Sequence, residues 1–103
     1  MKVQKVKTIK RDDVREYLSE CKPFRNGTAY AIYDNDNTYI VISYVTVIAR
    51  IDPNTHKVLE FDGKRYSSTT SFIQDAVRDV FDTSADALPY INLRNGTLKR
   101  FEN

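Results

Sequence analysis

Apolar residues near the N-terminus change from the spacing of a strand to that of a helix. Val3, Val6 and Ile9 alternate imperfectly with lysines, which is typical of either a short edge strand or a frayed segment before the first helix. From residue 12 onward the apolar residues fall at helical intervals, until a proline at position 23 ends the pattern. Those apolar residues are Val14, Tyr17, Leu18 and Cys21.

The centre of the chain has the pattern of β structure. Three segments rich in β-branched and aromatic residues, at 28–34, 38–51 and 57–61, are separated by turn-forming stretches. Residues 38–51 contain no Gly or Pro but are longer than a usual strand, so we expect a bulge or bend near Ser43 to Thr46. The segments together predict a three- to four-stranded antiparallel meander.

A run of hydroxyl side chains at 67–71 precedes a second helical pattern. Ser71 and Gln74 fit a capping box, which predicts a helix start there. Lys64 and Arg65 just upstream give an anion site some physical basis, but a helix start needs hydroxyls to satisfy its free N–H groups, and we favour the cap. The apolar face that follows consists of Phe72, Ile73, Ala76, Val77, Val80 and Phe81.

The predicted fold class is α+β, with the meander packed by one or two helices. Two short apolar segments flank Arg94-Asn95-Gly96, and Asn-Gly between such segments indicates a C-terminal hairpin. A length of 103 residues fits a single domain, 1–103. No apolar run approaches the roughly 20 residues that span a bilayer, so no membrane partner is expected.

The sequence carries few groups for catalysis or metal binding. Its single cysteine, Cys21, excludes an internal disulfide and fits a reducing, cytoplasmic location, and it lies on the predicted apolar helix face. The single histidine, His56, is in a predicted turn, and one Cys with one His cannot form a zinc site. Three glycines are too few for a nucleotide cradle. We therefore expect no metal, no cofactor and no enzymatic activity.

Carboxylates form a row at the end of the second predicted helix. Their spacing of 4, 3 and 4 residues would place all of them on one helix face, if the helix extends that far. Steps of about 6 Å along the axis resemble phosphate spacing in a nucleic-acid strand, so the row can imitate a nucleic acid toward a basic protein groove. The alternative is an ordinary solvated helix face. The four residues are Asp75, Asp79, Asp82 and Asp86.

A basic N-terminus supports the opposite hypothesis, that the protein binds nucleic acid. Lysines combined with tyrosines on strands form a stacking and phosphate-binding surface in single-strand binders. The net charge of only +2 weakens this hypothesis. The basic residues are Lys2, Lys5, Lys7, Lys10 and Arg11, and the tyrosines are Tyr30, Tyr33, Tyr39 and Tyr44.

Two segments together resemble a small domain of uncharacterised function found in many phage and prophage proteins. Residues 43–49 contain Ser-Tyr-x-Thr-x-Ile-Ala, and residues 66–71 contain Tyr-Ser-x-Thr-Thr-Ser, followed by Gln74. Relatives often have His and Asn on either side of that glutamine, where this chain has Ile73 and Asp75. The resemblance implies an origin in a phage or mobile element rather than an activity.

Small phage accessory proteins often act by occluding host machinery, as anti-CRISPR proteins do. The sequence thus favours a non-enzymatic, phage-derived protein that binds and inhibits a host protein, such as a CRISPR effector, in the cytoplasm of an infected bacterium. Its contacts would be the aspartate row with Tyr44 and Tyr66 as aromatic anchors. The alternatives are a small nucleic-acid-binding accessory protein and a virion or scaffold component.

Overall fold

The structure of the protein, a computed structural model, describes residues 5–81, residue 83 and the strands at 90–92 and 98–100. The described residues contain two α-helices, α1 (Val14–Ser19), which follows a 3-10 turn (Arg11–Asp13), and α2 (Ser68–Val80). Six strands form one sheet in chain order: β1 (Lys7–Thr8), β2 (Phe24–Asn26), β3 (Ala29–Tyr33), β4 (Tyr39–Ser43), β5 (Thr46–Ile51) and β6 (Val58–Phe61). A separate antiparallel pair consists of β7 (Tyr90–Asn92) and β8 (Leu98–Arg100), as the predicted C-terminal hairpin requires.

The α+β class is confirmed, but the prediction of three or four strands is wrong. The main sheet has six, and β1 pairs with β2 in parallel while the other neighbours are antiparallel. The parallel pair arises because the chain passes through α1 between the two strands, whereas a hairpin would reverse their direction. Residues 38–51, predicted as one long strand, fold back as two, β4 and β5, with a two-residue turn between them.

Both helices pack on one face of the sheet. Side chains alternate along β4, so that Tyr39, Val41 and Ser43 face the helices while Ile40 and Ile42 point to the other face. The core between the layers has Leu18 of α1 and Phe24 of β2 at its centre, together with the apolar stripe of α2. Burial of that stripe is the main force that fixes α2 on the sheet.

The sheet contains two irregularities of register, neither of them within 43–46. Ile48 is an extra residue in β5, because Val41 pairs with Ala49 and the next residue of β4 pairs with Val47. Leu59 is the corresponding extra residue in β6. A bulge increases local twist, and the first one lets Ile48 and Ala49 both be buried. The bend expected near Ser43 to Thr46 is instead a full chain reversal.

The loops and turns that connect the strands lie at two opposite ends of the sheet. The loops at 34–38 and 52–57 lie at one end, where Asp34, Asp36 and Asp52 give an acidic character. The turns at 27–28 and 44–45 lie at the opposite end, and the loop 62–67 leads there from β6 to α2. No helix in the described part of the chain is long and apolar enough to cross a membrane.

Candidate functional site

The turn between β4 and β5 is the most exposed apolar feature of the described chain. Val45 is 93% exposed and Tyr44 is 51% exposed, although the residues on both sides are buried or half-buried. Tyr44 has φ +57°, a left-handed conformation that is unfavourable for a bulky residue without glycine's freedom. Non-glycine residues in this region are concentrated at functional sites, where the surrounding structure holds them in place.

A buried pair of hydroxyl groups attaches this turn to α2. The Oγ of Ser43 and the Oγ1 of Thr70 lie 2.8 Å apart, and both residues are almost fully buried. The backbone N–H of Tyr44 donates to the carbonyl of Thr28 across the neighbouring turn, at 2.8 Å. Ser43 belongs to the first sequence motif and Thr70 to the second, so the two motifs meet in the fold at this hydrogen bond.

The start of α2 confirms a helix cap but not the predicted residues. Ser67 is the N-cap, and its Oγ accepts from the N–H of Thr70 at 3.3 Å, one turn before the predicted capping box. Ser71 lies inside the helix and donates to the carbonyl of Ser67. The prediction of a Ser71–Gln74 box is wrong because the hydroxyl run itself extends the helix toward the N-terminus.

Gln74 and Tyr66 instead hold the loop that leads into α2. The buried amide of Gln74 donates to the carbonyls of Asp62 and Lys64, each at 2.9 Å. The phenol of Tyr66 donates to Asp62 Oδ2 at 2.6 Å, and this hydrogen bond raises the pKa of Tyr66 to about 12. Tyr66 is still 41% exposed. We call Tyr44, Val45 and Tyr66 the tip surface, since all three are exposed and belong to the connections at this end of the sheet.

The predicted row of four aspartates is not formed along α2. The helix ends at Val80, because Phe81 is extended (φ −116°, ψ 154°) and turns into the core. The Phe81 ring also makes an edge-on contact with the ring of His56. Asp82 and Asp86 lie outside the described residues. Asp75 and Asp79 are exposed on the helix, as predicted.

Both remaining aspartates of the row are paired with arginines. Asp75 binds Arg78 at 3.0 Å, and Asp79 binds Arg15 of α1 at 2.7 Å. A carboxylate already held by a guanidinium offers less negative charge to a partner's basic groove. Asp75 and Asp79 therefore present less free negative charge than their spacing alone suggests.

The basic residues predicted for nucleic-acid binding are only partly available. Lys5, Lys7 and Lys10 are exposed, whereas Lys2 lies outside the described residues. The guanidinium of Arg11 lies 4.0 Å from the centroid of the Phe72 ring, in a cation–π contact that ties it to α2.

Two of the four tyrosines considered for base stacking face the helices. Tyr39 is fully buried and donates to the carbonyl of Lys22 at 2.7 Å, while Tyr33 donates to the carbonyl of Cys21 at 2.6 Å. Their rings pack on each other, with centroids 5.4 Å apart. Tyr30 lies on the opposite face of the sheet, and Tyr44 lies in the turn between β4 and β5. The surface available for base stacking is therefore smaller than predicted.

The groups considered for chemistry have structural roles. Cys21 is buried, and burial together with the charge of Asp52 raises the pKa of its thiol to about 11, so it stays protonated at neutral pH. His56 is exposed and contacts Phe81 edge-on. The carboxylate of Asp34 accepts backbone N–H groups of its own loop and binds Arg50. Within residues 5–81, no group of three or more metal-ligating side chains comes together.

Comparison with known proteins adds no further assignment: no family model, no curated protein and no solved structure matches this chain.

The sequence predicted Tyr44 and Tyr66 as anchors but did not predict Val45 or the turn that exposes it. The length of 14 residues for 38–51 was interpreted as one strand with a bulge or bend, whereas two short strands and a turn fit that length better.

Proposed function

We propose that this chain is a non-enzymatic binding protein whose tip surface contacts a partner protein. The observation that carries the proposal is the exposed apolar turn at Tyr44 and Val45, held in a left-handed conformation by buried hydrogen bonds. A rigid apolar projection loses little entropy when it binds, and tyrosine is among the residues enriched at the centres of protein interfaces.

The proposal further identifies the partner as a host protein that this chain inhibits by occlusion. Its support is the resemblance of the two motifs to phage and prophage proteins, since small phage proteins often block host machinery. A CRISPR effector is the first target to test, with the nucleic-acid-binding groove as the blocked site. In this proposal Asp75 and Asp79 contribute less to partner binding than the tip surface does, because they are paired with Arg78 and Arg15.

Affinity capture of the tagged protein from bacterial lysate, with and without nuclease, tests the class of partner. A host protein retained after nuclease treatment is the expected result. A capture that nuclease erases, with DNA or RNA in the untreated eluate, would overturn the proposal in favour of nucleic-acid binding through Lys5, Lys7, Lys10 and Arg11.

A charge reversal on α2 separates the tip surface from the acidic face. Asp75→Lys combined with Asp79→Lys should leave the captured protein bound, because neither residue belongs to the tip surface. Loss of the partner in this double variant, with an unchanged melting temperature, would return the contact to the acidic helix face and contradict the proposed surface.

A further inference from the structure

A pocket of about 440 Å³ opens beside the tip surface, on the sheet face opposite the helices. This volume is within the range of sites that hold a small ligand or an anchoring side chain. The lining is mostly apolar, with one cation, one aliphatic hydroxyl and two phenols. Its aliphatic residues are Val6 and Ile32, its aromatic residues are Tyr30 and Tyr44, and its polar residues are Arg25 and Thr28.

Arg25 is an unpaired cation at this pocket. Three other arginines of the described chain, Arg15, Arg50 and Arg78, are bound to carboxylates. Arg25 is exposed and has no such partner among the described residues, and no carboxylate residue lines the pocket. A guanidinium in this position offers a planar fork of donors to an incoming carboxylate.

Thr28 also lines the pocket, and its hydroxyl is buried behind the surface. Its Oγ1 is the one buried side-chain oxygen or nitrogen within the described residues that has no hydrogen-bond partner. Leaving such a group unpaired destabilises the free protein, and rotation about χ1 would turn it toward a bound group. Only after such a rotation can the hydroxyl bind a polar atom held in the pocket.

The rim of the pocket is fixed before anything binds. Gly27 has φ +59° and Tyr44 has φ +57°, so adjacent turns each contribute one left-handed position. The hydrogen bond from Tyr44 N–H to Thr28 O joins these turns. A pre-formed rim lowers the entropic cost of binding.

We infer that this pocket receives a bulky apolar side chain from an acidic segment of a partner protein, with an adjacent Asp or Glu of that segment bound to Arg25. The inference rests on the proposed function and specifies the chemistry of the partner. A nucleic-acid strand fits less well, because it presents a phosphate at every nucleotide to a pocket with a single cation and two aliphatic walls.

Two peptides test the inference by titration of the isotopically labelled protein in NMR. One is acetyl-Asp-Glu-Phe-Asp-Glu-amide, and the other is its neutral counterpart, acetyl-Asn-Gln-Phe-Asn-Gln-amide. The acidic peptide should shift the amide signals of Gly27, Thr28 and Tyr44 and bind about fivefold more tightly than the neutral one, as expected for one exposed ion pair. Arg25→Gln should abolish that preference. Equal binding of the two peptides, or no shift with either at millimolar concentration, would overturn the inference.

Thr28→Val gives a readout that a merely structural role would not produce. The variant should make the free protein more stable, because it removes an unpaired buried hydroxyl. It should also weaken binding of the acidic peptide. Unchanged peptide affinity in Thr28→Val would remove the hydroxyl from the site and contradict the inference.

A short thymidine oligonucleotide is the competing titrant. If it shifts the pocket signals while the acidic peptide does not, the pocket binds nucleic acid and the inference is wrong. Two substitutions distinguish an error in the pocket assignment from an error in the proposed function. If Val45→Asp abolishes capture of a host protein while Arg25→Gln preserves it, the tip surface still binds a protein and only the pocket assignment falls.

Discussion

The hydrogen bond between Ser43 and Thr70 links the exposed turn to α2, and a double-mutant cycle measures that link. The perturbations are Ser43→Ala and Thr70→Val, which delete one hydroxyl each and change side-chain volume little. The two oxygens are 2.8 Å apart, and the residues are 1% and 2% exposed. Water therefore cannot replace a lost partner at this position.

The two single variants should lower the free energy of unfolding by different amounts. Thr70→Val leaves the Ser43 hydroxyl buried with no other hydrogen bond, which should lower the free energy of unfolding by about 1–3 kcal/mol. Ser43→Ala should cost less, since Thr70 Oγ1 keeps a long contact of 3.4 Å with the Ser67 hydroxyl. The double variant leaves no unpaired hydroxyl at the pair and should be about as stable as the milder single variant.

Urea denaturation followed by circular dichroism measures all four proteins. A constant slope with urea would show that only stability changed. In thermal melts, each kcal/mol should lower the melting temperature by about 4–8 °C for a chain of this length. Strictly additive losses in the double variant would refute the reasoning, because they would mean that the two hydroxyls do not depend on each other.

Three further predictions follow from other sites. Cys21 should react with a thiol reagent far more slowly in the native protein than in urea at mildly alkaline pH, since burial raises the pKa of its thiol to about 11; rapid native labelling would contradict its placement. Tyr66→Phe should remove one phenol that titrates at about pH 12 in ultraviolet absorbance. The stabilising hydrogen bond from this phenol to Asp62 should be lost as the pH rises through that value. If the phenol that the substitution removes titrated near pH 10 instead, the hydrogen bond would be absent. Gly27→Ala should destabilise by about 1–2 kcal/mol in urea, because its φ of +59° is strained for any other residue even though a new Cβ would touch nothing within 4 Å; a neutral effect would mean that the turn relaxes.

Local patterns in the sequence were enough to predict the class of this fold. Helical spacing located α1 and α2, and β-branched runs located β3 to β6, because burial of one face dictates both periods. The strand β2 was missed, since its Phe-Arg-Asn sequence lies where a turn was expected. The six-stranded topology was not predictable in the same way. The parallel pairing of β1 with β2 depends on how α1 crosses the sheet, and β1 is only two residues long.

The turn at 44–45 shows why the site itself was harder to predict. Neither Tyr44 nor Val45 is a turn-forming residue, and the usual signal for a two-residue hairpin is Asn-Gly or Asp-Gly. The reversal is stabilised by contacts distant in sequence, the Ser43–Thr70 pair and the bond to Thr28. Such contacts exist only after the chain has folded, so tertiary structure overrides local preference here.

The pairing of Asp79 with Arg15 was not visible in the sequence, whereas Asp75 and Arg78 are only three residues apart on one helix. Spacing correctly placed Asp75 and Asp79 on an exposed helix face, but Arg15 reaches Asp79 across 64 positions of the chain. The end of α2 at Val80 depends on Phe81 turning into the core. Tertiary packing therefore limits the row on α2 to Asp75 and Asp79 and pairs the second of them with an arginine of α1.

The central claim is that the apolar turn at Tyr44 and Val45 contacts the partner. Capture from bacterial lysate with Val45→Asp tests it most directly, because Val45 is 93% exposed and the substitution should leave stability nearly unchanged. Asn35→Asp is the matched control, since it adds the same charge to an exposed loop at the opposite end of the sheet. The account predicts that Val45→Asp loses the captured host protein while Asn35→Asp retains it. Retention of the protein by both variants, each with the melting temperature of the original chain, would contradict the account.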